Sequence, residues 1–436
     1  MCMRIAPTTR LRTSLAAVGL FLPMAAVARA DDWPQWGGPT HDGVWAETGI
    51  VESFPSEGLP IRWRAAIAMG FSSPVVAGGR VYVTDAELLD PRVRETVHCF
   101  DARTGQRLWR YSSDTDHPDW IFMAGQQRGP GATPVVRDGR LYVLGMFGQL
   151  TCLDAGEGGV LWTHNLLRTY QLRDFPTDGS PWLEGDLLIV AIGGKPGAGV
   201  VAFEKQSGRE AWRALDELST HSSPFVVSAG AARQLIVWTQ QSIVSLCPDD
   251  GRTYWREPMP TSADYAVATP VFHRDRLLIS GLMFQLDPDR PAASVLWPSS
   301  RAVARRILSN TSTPLFRGDH VYSARLSGSL ACLDARTGET VWETRGVTDE
   351  RTGSSIHLTV QGDSVLLLTN RGELIRAHVA PEGYREISRA PLIEPTWPFG
   401  GRNVAWASPA TRSAPVLPPC GVSFRLIIPG WTPAAR

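Results

Sequence analysis

An eleven-residue unit returns along this chain at a nearly constant interval, and it narrows the fold more than any other feature. Cys99-Phe-Asp-Ala-Arg-Thr-Gly-Gln-Arg-Leu-Trp109 and Cys332-Leu-Asp-Ala-Arg-Thr-Gly-Glu-Thr-Val-Trp342 are almost identical. Ala202-Phe-Glu-Lys-Gln-Ser-Gly-Arg-Glu-Ala-Trp212 keeps the pattern, and Cys152-Leu-Asp154 leads to Trp162 with Gly158 four residues before it. Gly251 and Trp255 hold the spacing behind a degraded front half; Trp297 is a weaker copy, and Trp63 stands alone near the start. The seven tryptophans lie 42 to 53 residues apart, the period of a four-stranded propeller blade.

A second marker shares that period. Ser or Thr followed by Pro opens an apolar run at Ser73, Thr133, Ser180, Ser223, Thr269, Thr313 and Ser408, and Ser355-Ile356 fills the remaining slot without the proline. Proline is tolerated at a strand's first residue, where no ladder donor is lost. In Asp-Ala-Arg-Thr-Gly the carboxylate accepts from turn amides and the glycine supplies a positive φ, which makes a hairpin turn. The tryptophan beyond it is a large flat side chain suited to the gap between neighbouring sheets. Eight slots predict an all-β, eight-bladed β-propeller of four-stranded antiparallel blades. Trp63 is a closing-strand residue with no blade before it, and Ala405-Trp-Ala-Ser-Pro409 is an opening strand. The N- and C-terminal segments are therefore expected to share a blade, which removes the exposed sheet edge.

The expected organisation is a signal peptide over 1–30, an N-terminal extension over 31–60, the propeller over 61–410 and a divergent tail over 411–436. Arg4, Arg10 and Arg12 form a basic n-region, residues 14–27 are apolar, and Ala28-Arg29-Ala30 is a cleavage signal. The chain is thus expected to be periplasmic or secreted. No later stretch has the length of uninterrupted apolar sequence that a membrane helix needs. The tail carries Pro415, Pro418, Pro419, Pro429 and Pro433, a composition hostile to strand pairing.

Formal charge is zero for the whole chain; the first thirty residues hold four arginines and no acid, so the remainder stands at −4. Nucleic-acid binding needs a concentrated basic face, and none is evident. After cleavage five cysteines remain, Cys99, Cys152, Cys247, Cys332 and Cys420, an odd number without any C-x-x-C. Cys99, Cys152 and Cys332 lie ten residues before a blade tryptophan, so they occupy equivalent places on different blades, beyond disulfide reach. They read as small buried hydrophobes.

The A-x-D-x-x-T-G-x-x-x-W unit resembles the tryptophan-docking repeat of pyrroloquinoline-quinone (PQQ) propellers. Asp32-Trp-Pro-Gln-Trp-Gly-Gly-Pro39, Gly193-Gly-Lys-Pro-Gly-Ala-Gly-Val-Val-Ala-Phe203 and Ala405-Trp-Ala-Ser-Pro409 are similar to segments of exported PQQ-like repeat proteins of the planctomycete type. The outer-membrane assembly propeller is a further likeness. The resemblance spans residues 32–409; it departs at Gly37, where the family usually has Arg, and after residue 410. It implies the fold, and two roles: a cofactor-free scaffold or a quinoprotein dehydrogenase. The latter stacks PQQ on a tryptophan and under a ring of adjacent, disulfide-linked cysteines, and holds Ca²⁺ with acidic and amide oxygens. This chain has no adjacent cysteines.

No G-x-S-x-G, H-E-x-x-H or P-loop is present. Asp114, Asp116, His117 and Asp119 sit in a long connection, but hard-cation sites need more oxygens in a regular spacing, so a solvated loop is the expectation. Propeller ligands sit at the axial mouth, where loops converge. Candidate binding residues near blade openings are Arg128, Lys195, His221, Asp264, Arg301 and Asn310. Each competes with a reading as an ordinary surface polar group, and His221 with one as a hydrogen-bonded turn histidine. Lys195 stands out for its Gly-rich loop, which lets backbone approach a ligand. The expected role is a non-catalytic scaffold binding an envelope protein or a glycan, with no cofactor; the alternative is an oxidoreductase using PQQ in the central funnel. Expression in an export-competent host, followed by N-terminal sequencing, is expected to return a mature chain starting at Asp31.

Overall fold

The computed structural model describes residues 32–46, 52–56, 58–59, 61–172, 176–262, 266–351, 353–406 and 409–410. Among them are seven four-stranded antiparallel sheets, each built from consecutive strands, and one two-stranded hairpin, Trp397–Phe399 with Arg402–Val404. Sheet 1 runs from Val75–Ala77 to Arg107–Thr115, and sheet 7 from Ile356–Gln361 to Gly383–Pro391. Seven of the eight slots thus open a sheet. The eighth, Ser408-Pro409, falls at the edge of the described residues, and residues 1–30, the tail 411–436 and Cys420 lie outside them.

The first strand of each sheet is innermost: Val75–Ala77 touches Val135–Arg137, and Val271–His273 touches Leu315–Arg317. The core is divided wedge by wedge between neighbours. One cluster joins sheets 1 and 2 through Val75, Tyr82, Cys99, Leu141 and Leu153. Further clusters join each later pair up to sheets 6 and 7. A last one joins sheet 7 to sheet 1: Leu366, Leu368 and Ala390 meet Val81, Val83 and Phe100 through Trp33, Trp45, Phe54, Ile67 and Ala410.

The repeated unit builds these junctions. Asp101 Oδ1 accepts from the amides of Arg103 and Thr104, and Gly105 at φ +74° donates to Asp101 O at 2.9 Å. The preceding tryptophan then lies on that glycine. Trp109 donates through Nε1 to Ala155 O at 3.3 Å, and a Cβ on Gly158 would meet its ring at 2.6 Å. Trp63, Trp162, Trp212, Trp297 and Trp342 donate likewise to Ala102, Lys205, Pro248, Ala335 and Ala380 of the following sheet, and the first four also lie on a glycine of the turn they face, whereas Trp342 does not. Trp255 differs. The turn facing it, Asp287-Pro-Asp-Arg-Pro291, has no glycine, and Trp255 donates instead to Gln234 Oε1 at 2.8 Å while packing on Phe284.

A β-bulge aims each tryptophan. Cys99 pairs with Trp109 and Phe100 with Arg107, so Leu108 is the extra residue. The same shift recurs opposite Cys152, Ala202, Ser245, Met283 and Cys332, and bulges re-aim side chains in this way. This places Cys99, Cys152 and Cys332 directly across from their tryptophans, buried and free. In sheet 7 the tryptophan's place is taken by Ser388, whose Oγ accepts from Phe54 N at 3.0 Å.

The N-terminal segment is woven into the inner strands. Trp33 exchanges backbone bonds with Val76 of sheet 1, and Pro34 O accepts from Val136 N of sheet 2. His41 stacks on Trp182 of sheet 3 with ring centroids 4.0 Å apart, and Gly43 and Trp45 bond Val360 of sheet 7. Three residues separate His41 from Val44, a reach of about 10 Å, so this segment runs from the inner strand of sheet 3 to that of sheet 7.

Gly158→Ala is expected to destabilise the protein by about 2–4 kcal/mol, because a left-handed residue and an overpacked ring add. Gly139→Ala, at φ +72° with open space around its Cβ position, is expected to cost only about 1 kcal/mol. Chemical denaturation of both variants checks the difference; equal losses would refute the docking role.

Candidate functional site

Each inner strand is preceded by an approach segment, and at four steps the slot's amide donates to the Ser/Thr hydroxyl of the next slot. Ser73 N donates to Thr133 Oγ1 at 3.1 Å, Thr133 N to Ser180 Oγ at 3.0 Å and Ser180 N to Ser223 Oγ at 3.0 Å. Thr269 N donates to Thr313 Oγ1 at 3.2 Å. The hydroxyl thus supplies what the proline at the next position cannot: a fixed inter-sheet link.

Two residues before five of the eight slots stand Trp406, Phe71, Gly131, Asp178 and His221, which form an arc around the mouth. Asp178 is buried and central. Arg128 pairs with its Oδ2, His221 Nδ1 lies 2.8 Å from the same oxygen, and Gly131 N donates to Oδ1 at 3.2 Å. Gly131 has no substitute here, since a Cβ would lie 2.7 Å from the carboxyl carbon. Burial alone would raise the Asp178 pKa; the Arg128 and His221 charges overturn that and hold it at about 2. Asp178 is ionised throughout the physiological range.

The other half of the arc is aromatic. The Arg128 guanidinium lies over the Phe71 ring at 5.7 Å. Phe71 meets Trp397 edge-on at 4.8 Å and Trp406 at 6.1 Å, and Trp406 meets Phe399 at 4.7 Å. Phe71, Trp397 and Trp406 are half-buried, and Phe399 is exposed. The hairpin that carries Trp397 and Phe399 is pinned by Arg402, 2.7 Å from Asp349 and 3.2 Å from Ser354 Oγ.

Glu95 sits behind the arc. It belongs to the unusually long second hairpin of sheet 1, Arg80–Leu89 with Arg92–Asp101. Its Oε1 accepts from Met146 N of sheet 2 at 3.0 Å. Burial first, and then the Asp178 charge, raise its pKa to about 7 against the lowering effect of that amide.

Of the sequence candidates, Arg128 and His221 converge on one carboxylate. Asn310 is buried at the opening of sheet 6, and its carbonyl accepts from Val267 N and Ala268 N, a latch between sheets 5 and 6. Arg301 starts the short helix Arg301–Ile307 and bonds Glu257 at 2.9 Å. Lys195 is exposed at a hairpin tip with its amide on Tyr170 O. Asp264 lies outside the described residues. In the long connection, Asp114 bonds Arg94 and Asp116 is gripped by Arg168 and Asn165. Among the described residues no three His, Cys, Asp or Glu side chains gather to hold a metal ion. Sequence reasoning missed Asp178, Phe71 and Trp406. The signal was available, for all three share His221's position two residues ahead of a slot.

Residues 93–344 match the family model described as outer membrane protein assembly factor BamB, and residues 286–386 match it again. This chain belongs to that family. Outer membrane protein assembly factor BamB of Burkholderia pseudomallei (strain K96243) is 26% identical over 313 residues, 70% of this chain and 64% of that protein. Quinohemoprotein alcohol dehydrogenase of Comamonas testosteroni is 25% identical over 207 residues, 46% of this chain and 28% of the enzyme. The chain therefore spans less than two thirds of either relative. Among solved structures, the Comamonas testosteroni quinohemoprotein alcohol dehydrogenase superposes with a TM-score of 0.63 at 16% identity, covering 84% of this chain and 74% of the enzyme. BamB from Moraxella catarrhalis gives 0.50 at 16% identity, covering 71% and 88%. These likenesses show the fold, a PQQ-like β-propeller.

Within the BamB family frame, the residues present do not match the PQQ cradle that the dehydrogenase resemblance implies. Of the described cysteines, Cys99, Cys152 and Cys332 lie within sheets opposite tryptophans and Cys247 follows the strand Ser242–Leu246, so none stand side by side. The acids near the openings, Asp178, Asp349 and Glu217, are each bonded to an arginine: Arg128, Arg402 and Arg256.

Glu95 is stabilised in its neutral form, so its contribution is fully present below the ordinary carboxyl range near pH 4.5 and is lost as pH rises through 7. Glu95→Gln is therefore expected to leave the melting temperature unchanged at pH 4.5 and to raise it at pH 8. Thermal unfolding at both pH values checks this; a uniform loss would show that the carboxyl itself is needed.

Proposed function

We propose that this chain is an exported, eight-sector PQQ-like β-propeller that works as a non-catalytic binding or scaffolding protein of the cell envelope, taking a protein segment or a glycan at its axial mouth. The observation that carries this reading is the neutralisation of the mouth's acids by fixed arginines, with Asp178 bonded on three sides. A carboxylate so held is poor as a base or cation ligand, because its lone pairs are occupied and its proton affinity is low. It is well suited to orienting neighbours that touch a ligand. Kinship with the BamB family supports an envelope role, and the predicted signal peptide supports export. Eight sectors are supported by the wedge of N-terminal residues and Ala410 between sheets 7 and 1, and by Trp406 meeting Phe71.

The rival reading, a quinoprotein-type oxidoreductase, draws on the likeness to the Comamonas testosteroni enzyme. PQQ titration with and without Ca²⁺, followed by absorbance and by dye-linked alcohol oxidation, separates the two. The binding-protein reading expects no saturable PQQ uptake and no turnover, together with recovery of a specific envelope partner in pull-downs from envelope extracts. Stoichiometric, Ca²⁺-dependent PQQ binding would overturn it.

A further inference from the structure

The aromatic half of the mouth has a feature that packing does not explain. Arg128 Nε and Trp406 Nε1 are buried donor atoms without a hydrogen-bond partner among the described residues. They flank the same ring, since Arg128 lies over Phe71 and Trp406 packs on it at 6.1 Å. Buried donors are ordinarily satisfied, and an unmade bond of this kind is destabilising. Resting on the binding-protein reading above, we propose that the mouth is a saccharide site that takes the end of a glycan chain. A sugar ring seats on the Phe71, Trp397 and Trp406 rings, and its oxygens accept from Arg128 Nε and Trp406 Nε1.

Three properties favour a saccharide over a peptide. A pyranose has an apolar C–H face and polar edges, which match half-buried aromatic rings beside rigid polar groups. Asp178, held by Arg128, His221 and Gly131, fixes the guanidinium plane, so its directional bonds are set before a ligand arrives. An extended peptide binds by adding main-chain bonds to a free edge. Here the amides of the approach segments are already spent on the hydroxyls of the next slot. The axis explains why an end is taken. The N-terminal segment passes from His41 on sheet 3 to Val44 on sheet 7, and on this proposal that crossing stops a ligand from threading through.

The test uses the purified full chain and isothermal titration with maltotriose, chitotriose and trigalacturonate, the corresponding hexasaccharides, and an extended decapeptide. Saturable binding of at least one trisaccharide is expected, with its hexasaccharide bound about equally well. Trp406→Ala and Arg128→Gln should each weaken that binding by about tenfold or more. Trp406→Phe, which keeps a ring and removes only the donor, should weaken it less and guards against a misfolded alanine variant. Binding that ignores all three substitutions, or no saturable binding by any saccharide, overturns the proposal. Hexasaccharide affinity rising with every added unit overturns end-on capture. Decapeptide binding alone would sink the saccharide assignment and leave the binding-protein reading standing, whereas Ca²⁺-dependent PQQ binding would sink that reading itself.

Discussion

The stacking of a tryptophan from one sheet on a glycine of the next is the contact on which the architecture depends. A four-stranded sheet of this kind cannot bury both its faces alone, so its stability comes from its neighbours. The tryptophan brings a large apolar surface to that junction, on the order of 2–4 kcal/mol for a partly buried ring. Its indole N–H adds direction by reaching a carbonyl next to the turn. Because the glycine also sits at a positive φ, one residue type satisfies the turn and the ring at once. The bulge before each tryptophan completes the device by rotating the side chain out of the sheet's alternation.

Closure follows from the same logic applied where the repeat fails. Sheet 7 has Ser388 where a tryptophan would stand, and its hydroxyl receives the amide of Phe54. The N-terminal segment thus replaces a docked turn with its own backbone, and Trp33, Trp45 and Phe54 fill the wedge. The same segment then bridges sheets 1, 2, 3 and 7 near the axis. One stretch of chain thus packs between sheets 7 and 1 and reaches the inner strands of four sheets. His41 and His357 are held neutral by burial, with pKa values lowered to about 4. Their contribution is present above the ordinary histidine range near pH 6.5 and fades as pH falls towards 4.

The fold was legible because its determinants are local and repeated. Tryptophan, glycine and Ser/Thr-Pro each do one job at one place in most of the blades, so spacing alone exposed them. The exception at Trp255 could be anticipated only in hindsight, from the missing glycine in Asp287-Pro-Asp-Arg-Pro291. The site was less legible because it is the part of the repeat that varies. Arg128 and His221 were visible as loop polars, but their partner Asp178 became significant only when three sheets converged on it. Lys195 and Arg301 were equally prominent in sequence and belong to other surroundings. The hydroxyl of the Ser/Thr-Pro pair was also hidden: the proline explained the pattern well enough to mask the inter-sheet bond beside it.

The mouth therefore separates two uses of charge on one scaffold. Catalysis needs a group whose proton affinity lies near the working pH, and Asp178 has been driven far from it by Arg128 and His221. Glu95, behind it, has been driven towards neutrality by burial and gives its lone pair to Met146 N. What remains at the mouth is a set of half-buried rings flanked by two buried, unpartnered donor atoms, with the Arg128 guanidinium held in place by Asp178. On the binding-protein reading proposed above, such an arrangement would bind by shape and hydrogen-bond direction. A dehydrogenase evolved on this fold would have to free at least one of those carboxylates from its arginine.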